Sequence, residues 1–303
     1  MTELPDFQQK ISALQNDIEL RFNEPMAKHT SFRIGGPVEV MAFPKNAAEL
    51  SAILRAADSL QVKPAILGAG TNVLAPDDGM KGLCICLKDC LEGMELLEGN
   101  RVRVMAGVTM TRAAVFAANH GLSGMEFAHG IPGSVGGGVY MNAGAYGGEI
   151  RDICESVDVV DLAGNIRTLS NEQMQFSYRH SLLEKEGGIV VSAVYRLEPK
   201  EPDGIKARMK ELQGKRSASQ PLDLPSAGSA FKRPVGGYAA ALIDQAGMKG
   251  FTVGGAAIST KHAGFAVNLG GATAADVKAL LQQVSDRVYE HSGIRLEPEV
   301  RIW

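Results

Sequence analysis

The sequence holds no run of about 18 apolar residues, the length a helix needs to cross a bilayer. Its start, MTELPDFQQKISALQNDIEL, lacks the basic-then-apolar layout of a secretory leader. No membrane span is expected, and the cytoplasm is the expected location. Lysine and arginine form no stripe and the net charge is −3, so no nucleic-acid surface is expected. Cysteine is sparse: Cys84, Cys86, Cys90 and Cys154 are all there is. Cys84 and Cys86 alternate within LCICL, but a zinc site needs a second close pair and Cys154 stands alone. No metal is expected, and the thiols read as buried and reduced. Internal repeats and low-complexity segments are absent.

Glycine, by contrast, is crowded. Gly130, Gly133, Gly136, Gly137, Gly138, Gly144 and Gly147 fall within GIPGSVGGGVYMNAGAYG, beside apolar Val135, Val139 and Met141. Each ordered glycine costs up to about 1 kcal/mol of extra backbone entropy, so something must require backbone without side chains there.

The chain reads as three regions, 1–82, 83–199 and 200–303. Phe7, Ile11, Leu14 and Ile18 recur at helical spacing, a helix that would dock on the body. A strand VEVMAFP precedes NAAELSAILRAADSL, where Asn46 and Glu49 have capping-box spacing, and strand VKPAILG completes a β–α–β unit. In the second region RVRVMAG alternates as a strand, Thr109 can cap a helix closed by Gly121, and strands ESVDVVDL, IRTL and GIVVSAVYRL follow. Charged and turn residues at 200–203 suggest a linker. Beyond it come helices around IKARMKELQ and YAAALIDQAG, strand FAVNLG, a long helix capped by Thr273, and an alternating terminal strand IRLEPEVRIW. In that strand Arg295, Glu297, Glu299, Arg301 and Trp303 would share a face opposite Leu296, Val300 and Ile302. Pro298 cannot donate a ladder hydrogen bond, so the strand is expected to be edged or bulged there.

LGAGTNVL (67–74) and GIPGSVGGG share one character: consecutive backbone N–H groups exposed without side chains, which form concavities suited to a diphosphate. Neither loop is a P-loop, because no Gly-Lys-Ser/Thr follows, and Gly68-Ala69-Gly70 lacks the third glycine of the dinucleotide fingerprint. Either loop alone reads as a tight turn; the pair points to a large cofactor with a diphosphate.

Six segments carry a family resemblance: HTSFRIGGPVEV, LGAGTNVL, GIPGSVGGGVYMNAGAYGGEI, FSYRHSLL, PSAGSAFKRP and LEPEVR. In this order they resemble the flavin-dependent UDP-N-acetylenolpyruvoylglucosamine reductases, within the p-cresol methylhydroxylase-like (VAO-type) FAD-binding superfamily. The resemblance implies an α+β fold: an FAD-binding domain of two subdomains (1–82 and 83–199) and a C-terminal α+β substrate-binding domain (200–303). It implies non-covalent FAD along Gly68, Ala69, Gly70, Thr71, Asn72, Leu74, Ile131, Pro132, Gly133, Gly137, Gly138, Asn142 and Gly144. NADPH would reduce the flavin, and hydride would pass to the enolpyruvyl double bond of UDP-N-acetylglucosamine enolpyruvate, giving UDP-N-acetylmuramate for peptidoglycan precursors.

That chemistry needs a stabilised enolate and a proton donor. Ser229 matches the family's proton-donating serine, and Lys232 in the same loop could tune it; read alone, Ser229 is a turn serine after Gly228. Arg179 matches the active-site arginine, whose guanidinium can hold a carboxylate bidentately; read alone, it is a solvated loop residue. Glu299 matches the glutamate of the terminal motif; read alone, it is an exposed carboxylate paired with Arg301. Tyr178, Arg216, Gln220, Lys232 and Arg301 are the candidate substrate contacts, with Lys215 and Arg233 nearby. Arg233 stands where the family often has asparagine, and His129 where a small residue is expected. No tyrosine-bearing insertion separates Arg179 from Lys200, which places the chain in the shorter subgroup, expected as a monomer. Two other readings stay open on the residues alone: an FAD oxidase tethering its flavin through His29, and a silent nucleotide-binding module.

Overall fold

The computed structural model describes residue 11 and residues 18–303 of the chain. Of the N-terminal helix pattern, Phe7 and Leu14 lie outside the described residues, while Ile11 and Ile18 are buried. The chain is a mixed α+β structure gathered into two compact units. One takes in the chain up to Asn23, Glu39–Ala69 and Gly82–Gly214; the other consists of Glu24–Val38, Gly70–Lys81 and Lys215–Trp303. Two segments of the region 1–82 thus go with the last third of the chain.

In the first unit the Pro37–Phe43 strand leads into helix Ala47–Ser59. Asn46 Oδ1 caps that helix by accepting the Glu49 N–H at 2.9 Å, while the Glu49 carboxylate reaches back to the Lys45 N–H at 2.7 Å. The strand Ala65–Leu67 that follows the helix pairs in parallel with Met80–Cys86, which lies between it and Pro37–Phe43 in the sheet. A second sheet is antiparallel throughout, in the order Ile166–Ser170, Cys154–Val160, Ile189–Arg196, Arg101–Met105, Met94–Leu97. Its central strand Ile189–Arg196 is buried along seven of eight residues, as expected for a strand covered on both faces. Thr109 Oγ1 accepts the Arg112 N–H at 3.2 Å and starts helix Met110–Asn119. All four cysteines are free thiols, and burial pushes the Cys84, Cys86, Cys90 and Cys154 thiols up from their ordinary pKa.

The glycine segment contains a feature that propensity argues against, a short helix Val135–Tyr140 through Gly136-Gly137-Gly138. Packing explains it. A Cβ on Gly136 would lie 2.9 Å from the Ala106 Cβ, and one on Gly138 would lie 2.7 Å from the Met110 sulfur. The helix runs so close to its neighbours that side chains at these two positions would push it away.

The second unit is built on an antiparallel sheet in the order Ser226–Ser229, Phe265–Asn268, Ala256–Ile258, Thr252–Val253, against which helix Ala274–Ser292 packs. Thr273 and Asp276 form a reciprocal capping box at the start of that helix, and Gly293 ends it in the left-handed conformation at φ 72°. The early segments join this core through Phe32, Ile34 and Leu74, all buried within it. Asn268 Nδ2 donates to the Phe32 carbonyl at 2.9 Å. The Asp77 carboxylate accepts the N–H groups of Ala274 and Ala275 at 2.7 and 3.0 Å, satisfying two donors a helix start leaves over.

Two expectations change. The 200–203 stretch is no linker beyond residue 201, because a helix runs over Pro202–Ser219 with proline in its first turn, where the missing N–H is harmless. The terminal segment is no continuous strand: only Arg301–Ile302 is regular, pairing in parallel with Val73–Leu74, and Pro298 keeps a single bridge to Phe231. Leu296 and Val300 are buried as the alternation requires, but Ile302 is exposed.

Replacing Asp77 with alanine should leave both helix donors to water and destabilise the protein by about 1 kcal/mol. In a chain this size that lowers Tm by about 1–2 °C, measurable by calorimetry.

Candidate functional site

In the first unit Arg179 sits at the tip of a tight turn. Ser177 and His180 exchange backbone hydrogen bonds at 3.1 and 3.2 Å, and Tyr178 and Arg179 lie between them. Arg179 has φ 55°, a left-handed conformation that disfavours an L side chain and persists only where the surroundings hold it. Its guanidinium carbon stands 5.3 Å from the Tyr178 ring centroid, and Tyr178 is exposed.

The glycine segment holds that turn in place. Asn142, fully buried, donates from Nδ2 to the Ser177 carbonyl and to Glu149 Oε2, both at 3.0 Å, and accepts the Arg151 N–H on Oδ1 at 2.9 Å. Ser181 Oγ donates to the Tyr140 carbonyl at 2.7 Å. The Asn142 amide, expected along the cofactor, therefore spends its polar atoms within the protein, one bond on the Arg179 turn and two on the segment 149–151.

Backbone dominates the rest of this unit's candidate site. Gly133 adopts φ 142°, and its carbonyl accepts the Met110 N–H at 3.0 Å. Pro132 is exposed and Ile131 half-buried beside it. A Cβ on Gly144 would strike Glu149 Cβ at 2.8 Å, so this glycine serves the fold. Gly137 differs: it is exposed, and an added Cβ would meet only Ser134 Oγ, at 3.7 Å. The same hydroxyl would stand 2.9 Å from a Cβ on Gly68, so Gly68 and Gly137 both face Ser134, with Ala69 half-buried next in the chain. Ser134 Oγ is buried and has no hydrogen-bond partner among the described residues. An orphaned hydroxyl costs about 1–3 kcal/mol. Sequence reading passed over Ser134, which looks like an ordinary helix cap yet makes no capping bond. His129, half-buried, follows the 3-10 turn Glu126–Ala128.

The second unit brings Asn72, Ser229, Lys232 and Glu299 onto one hydrogen-bonded frame. Ser229 lies opposite Phe265 at the end of its strand, after Gly228 at φ 79°. The next residue, Ala230, accepts the Glu299 N–H at 2.9 Å, and Lys232 N–H donates to the Glu297 carbonyl at 2.9 Å. Lys232 Nζ pairs with Glu297 at 3.2 Å on the surface. Arg301 N–H donates to the Asn72 carbonyl at 3.0 Å, and Asn72 Nδ2 donates to the Glu299 carbonyl at 3.3 Å. Thr71 is half-buried beside Asn72. Leu74 packs its side chain into the core. Gly70 has its own reason to be glycine: a Cβ there would lie 2.0 Å from the His29 carbonyl oxygen. His29 Nε2 is 2.9 Å from the Glu24 carboxylate.

Arg216 is buried, with its guanidinium 3.3 Å from Gln220 Oε1. Arg233 stacks its guanidinium carbon 4.0 Å from the centroid of exposed Tyr238. The loop 259–264, which the sequence left unmarked, joins this group. Gly264 accepts the Ala230 N–H at 2.8 Å, and Lys261 Nζ donates to the Ser217 carbonyl at 2.7 Å. Gly264 N–H donates to His262 Nδ1 at 3.1 Å, which puts the proton of the neutral ring on Nε2. Burial, aided by Lys249, holds the His262 pKa below its usual value. STKHAG reads as a plain polar turn, and only the pairing of Ser229 with Phe265 reveals its place. Among the described residues no group of acidic, His and Cys side chains could hold a metal ion, and no helix is long and apolar enough to cross a membrane.

Asn142→Ala would strand the Ser177 carbonyl, the Arg151 N–H and the Glu149 carboxylate. The expected loss is about 2–4 kcal/mol, read as a lower urea midpoint at unchanged slope.

Known proteins match nearly the whole length of the chain. A family model described as "UDP-N-acetylenolpyruvoylglucosamine reductase, C-terminal domain" matches residues 220–303, and one described as "FAD binding domain" matches 38–170. The UDP-N-acetylenolpyruvoylglucosamine reductase of Caldanaerobacter subterraneus subsp. tengcongensis is 43% identical over 293 residues, 97% of this chain and 96% of the relative. That of Streptococcus thermophilus is 44% identical over 285 residues, 94% of this chain and 93% of the relative. The crystal structure of UDP-N-acetylenolpyruvylglucosamine reductase (MurB) from Thermus caldophilus superposes with a TM-score of 0.80 at 36% identity, covering 94% of this chain and 98% of that one. The chain belongs to the UDP-N-acetylenolpyruvoylglucosamine reductase family.

Proposed function

We propose that the protein is an FAD-dependent reductase that uses NADPH to convert the enolpyruvyl ether of UDP-N-acetylglucosamine into UDP-N-acetylmuramate, in peptidoglycan precursor synthesis. What carries the reading is family membership along nearly the full length, with the motif positions Arg179, Ser229 and Glu299 occupied. The reading places the enzyme in the cytoplasm, working as a monomer. Free thiols and the lack of a membrane-crossing helix among the described residues fit that setting.

The backbone of the first unit fits a flavin diphosphate. Gly137 leaves an exposed strip of main chain between two glycines used for packing, and the orphaned Ser134 hydroxyl lies against Gly68 and Gly137. Gly68, Ala69, Ile131, Pro132, Gly133, Gly137 and Gly138 would hold the cofactor there, with Gly144 and Asn142 supporting the segment. Gly70, Thr71, Asn72 and Leu74 belong to the same assignment through their backbone rather than their side chains. FAD, when bound, supplies the hydride that NADPH first donates.

The chain's own residues manage charge and proton. Hydride added at the terminal methylene leaves negative charge on the neighbouring carbon, spread into the adjoining carboxylate. The Arg179 guanidinium would hold that carboxylate with two parallel hydrogen bonds, strengthening as charge develops. The Ser229 hydroxyl would give its proton to the carbon bearing the ether oxygen, and Glu299 would complete the acid–base set. Arg216, Gln220, Lys232 and Arg301 would grip the nucleotide sugar, with Tyr178 positioning the enolpyruvyl end.

Gly137→Leu should fold with normal stability, since the position is open, yet retain flavin at least about 10-fold more weakly, as read from absorbance per protein after dialysis. In Ser229→Ala, anaerobic stopped flow should show flavin reduction by NADPH unchanged and reoxidation by the enolpyruvyl substrate slowed about 10²–10⁴-fold. Equal slowing of both half-reactions would make Ser229 structural.

A further inference from the structure

The terminal segment that carries Glu299 is poorly held by regular structure. Residues 294–297 form no strand, Pro298 has no N–H to donate, and Val73–Leu74 meets Arg301–Ile302 over only two residues. In that parallel pair Arg301 N–H donates to the Asn72 carbonyl at 3.0 Å and Trp303 N–H to the Leu74 carbonyl at 3.1 Å. Evenly spaced rungs alternate between the two strands of a parallel ladder. One step back, the next rung would run from the Asn72 backbone N–H to the Glu299 carbonyl.

That rung is made differently. The Asn72 side-chain amide, not its backbone N–H, donates to the Glu299 carbonyl at 3.3 Å. Together with the Glu299 N–H on the Ala230 carbonyl at 2.9 Å, both backbone polar groups of Glu299 are tied. One tie leads to the residue after Ser229 and the other to the glycine loop. The loop end is anchored in turn: Ser31 Oγ donates to the Ser226 carbonyl at 2.6 Å, and Ser31 N–H to the Gly70 carbonyl at 3.0 Å.

We infer that Asn72 is a positioning residue for Glu299: its side-chain amide extends the ladder by one rung and fixes the backbone from which the glutamate projects. The Asn72 backbone N–H stays out of that ladder. The side chain therefore serves the acid, while the main chain of the loop remains available to a diphosphate. An error of about 1 Å in placing a reacting group can cost about 10²-fold in rate, which is ample reason to brace a segment without a strand of its own.

The inference rests on the reading of Glu299 given above, and the test separates the two. Flavin retention, flavin reduction by NADPH and anaerobic reoxidation by the enolpyruvyl substrate are measured for Asn72→Ala, Asn72→Asp, Glu299→Gln and the double variant Asn72→Ala/Glu299→Gln. Asn72→Asp keeps the shape of the side chain and removes the donor. Both Asn72 variants should keep flavin within about 3-fold and reduce it at the normal rate, but reoxidise about 10- to 100-fold more slowly. The double variant should be no slower than Glu299→Gln alone, since a brace is worth nothing once the braced group is gone. Additive losses, loss of flavin beyond 10-fold, or failure of both Asn72 variants to fold would each overturn the assignment. If Glu299→Gln is slow while both Asn72 variants reoxidise normally, only the bracing falls. If Glu299→Gln itself reoxidises normally, the role given to Glu299 falls with it.

Discussion

The hydrogen bond from the Glu299 N–H to the Ala230 carbonyl, 2.9 Å long, ties positions nearly seventy residues apart and sets the geometry of the second unit's candidate site. Together with the Lys232 N–H on the Glu297 carbonyl it makes the single bridge Phe231–Pro298, and beyond that bridge the terminal segment has two residues of strand. With it, Ser229 and Glu299 are carried on adjoining backbone. Apolar packing supplies the background stability: Phe231, Leu296 and Val300 are buried in the same core as Phe32, Ile34 and Leu74. Hydrogen bonds of this kind contribute about 1 kcal/mol each, so their importance here lies in direction rather than strength. Packing would tolerate small slips of the segment; a paired backbone does not.

The glycines divide by what lies against them. Gly136, Gly138, Gly144 and Gly70 each have another part of the protein within 3 Å of a would-be Cβ. For them the entropic cost of glycine is met by close packing inside the chain. Gly68 joins them through the Ser134 hydroxyl at 2.9 Å, whereas Gly137 meets nothing nearer than that hydroxyl at 3.7 Å. The glycine-rich composition thus serves close packing at most of these positions and leaves exposed main chain at Gly137. The short helix through three glycines follows from that packing: a stretch with poor intrinsic propensity becomes helical because tertiary contact leaves no room for side chains.

Two asparagines show a common device. Asn142 in the first unit and Asn72 in the second each use a side-chain amide to complete hydrogen bonding that irregular backbone would leave open. An amide offers two donors and an acceptor at the end of a short, stiff side chain, which suits a turn or a ladder end. The left-handed φ of Arg179 is sustained in the same way, by a turn whose Ser177 carbonyl is held by Asn142.

The sequence by itself determined many of the regular elements and marked the motif residues. Caps at Asn46, Thr109 and Thr273, alternation in Arg101–Met105, and the apolar run of Ile189–Arg196 are local signals, and local rules govern them. Arg179, Ser229 and Glu299 were legible because they sit in recognisable short motifs. Tertiary structure alone decided the rest. It joined segments 24–38 and 70–81 to the last third of the chain, left the terminal strand only two residues long, wrapped the 259–264 loop beside Ser229, left the Ser134 hydroxyl without a partner among the described residues, and set the Asn72 side chain on the Glu299 carbonyl. These are contacts between residues far apart in the chain, set by which surfaces can be buried together, and no window of sequence contains them.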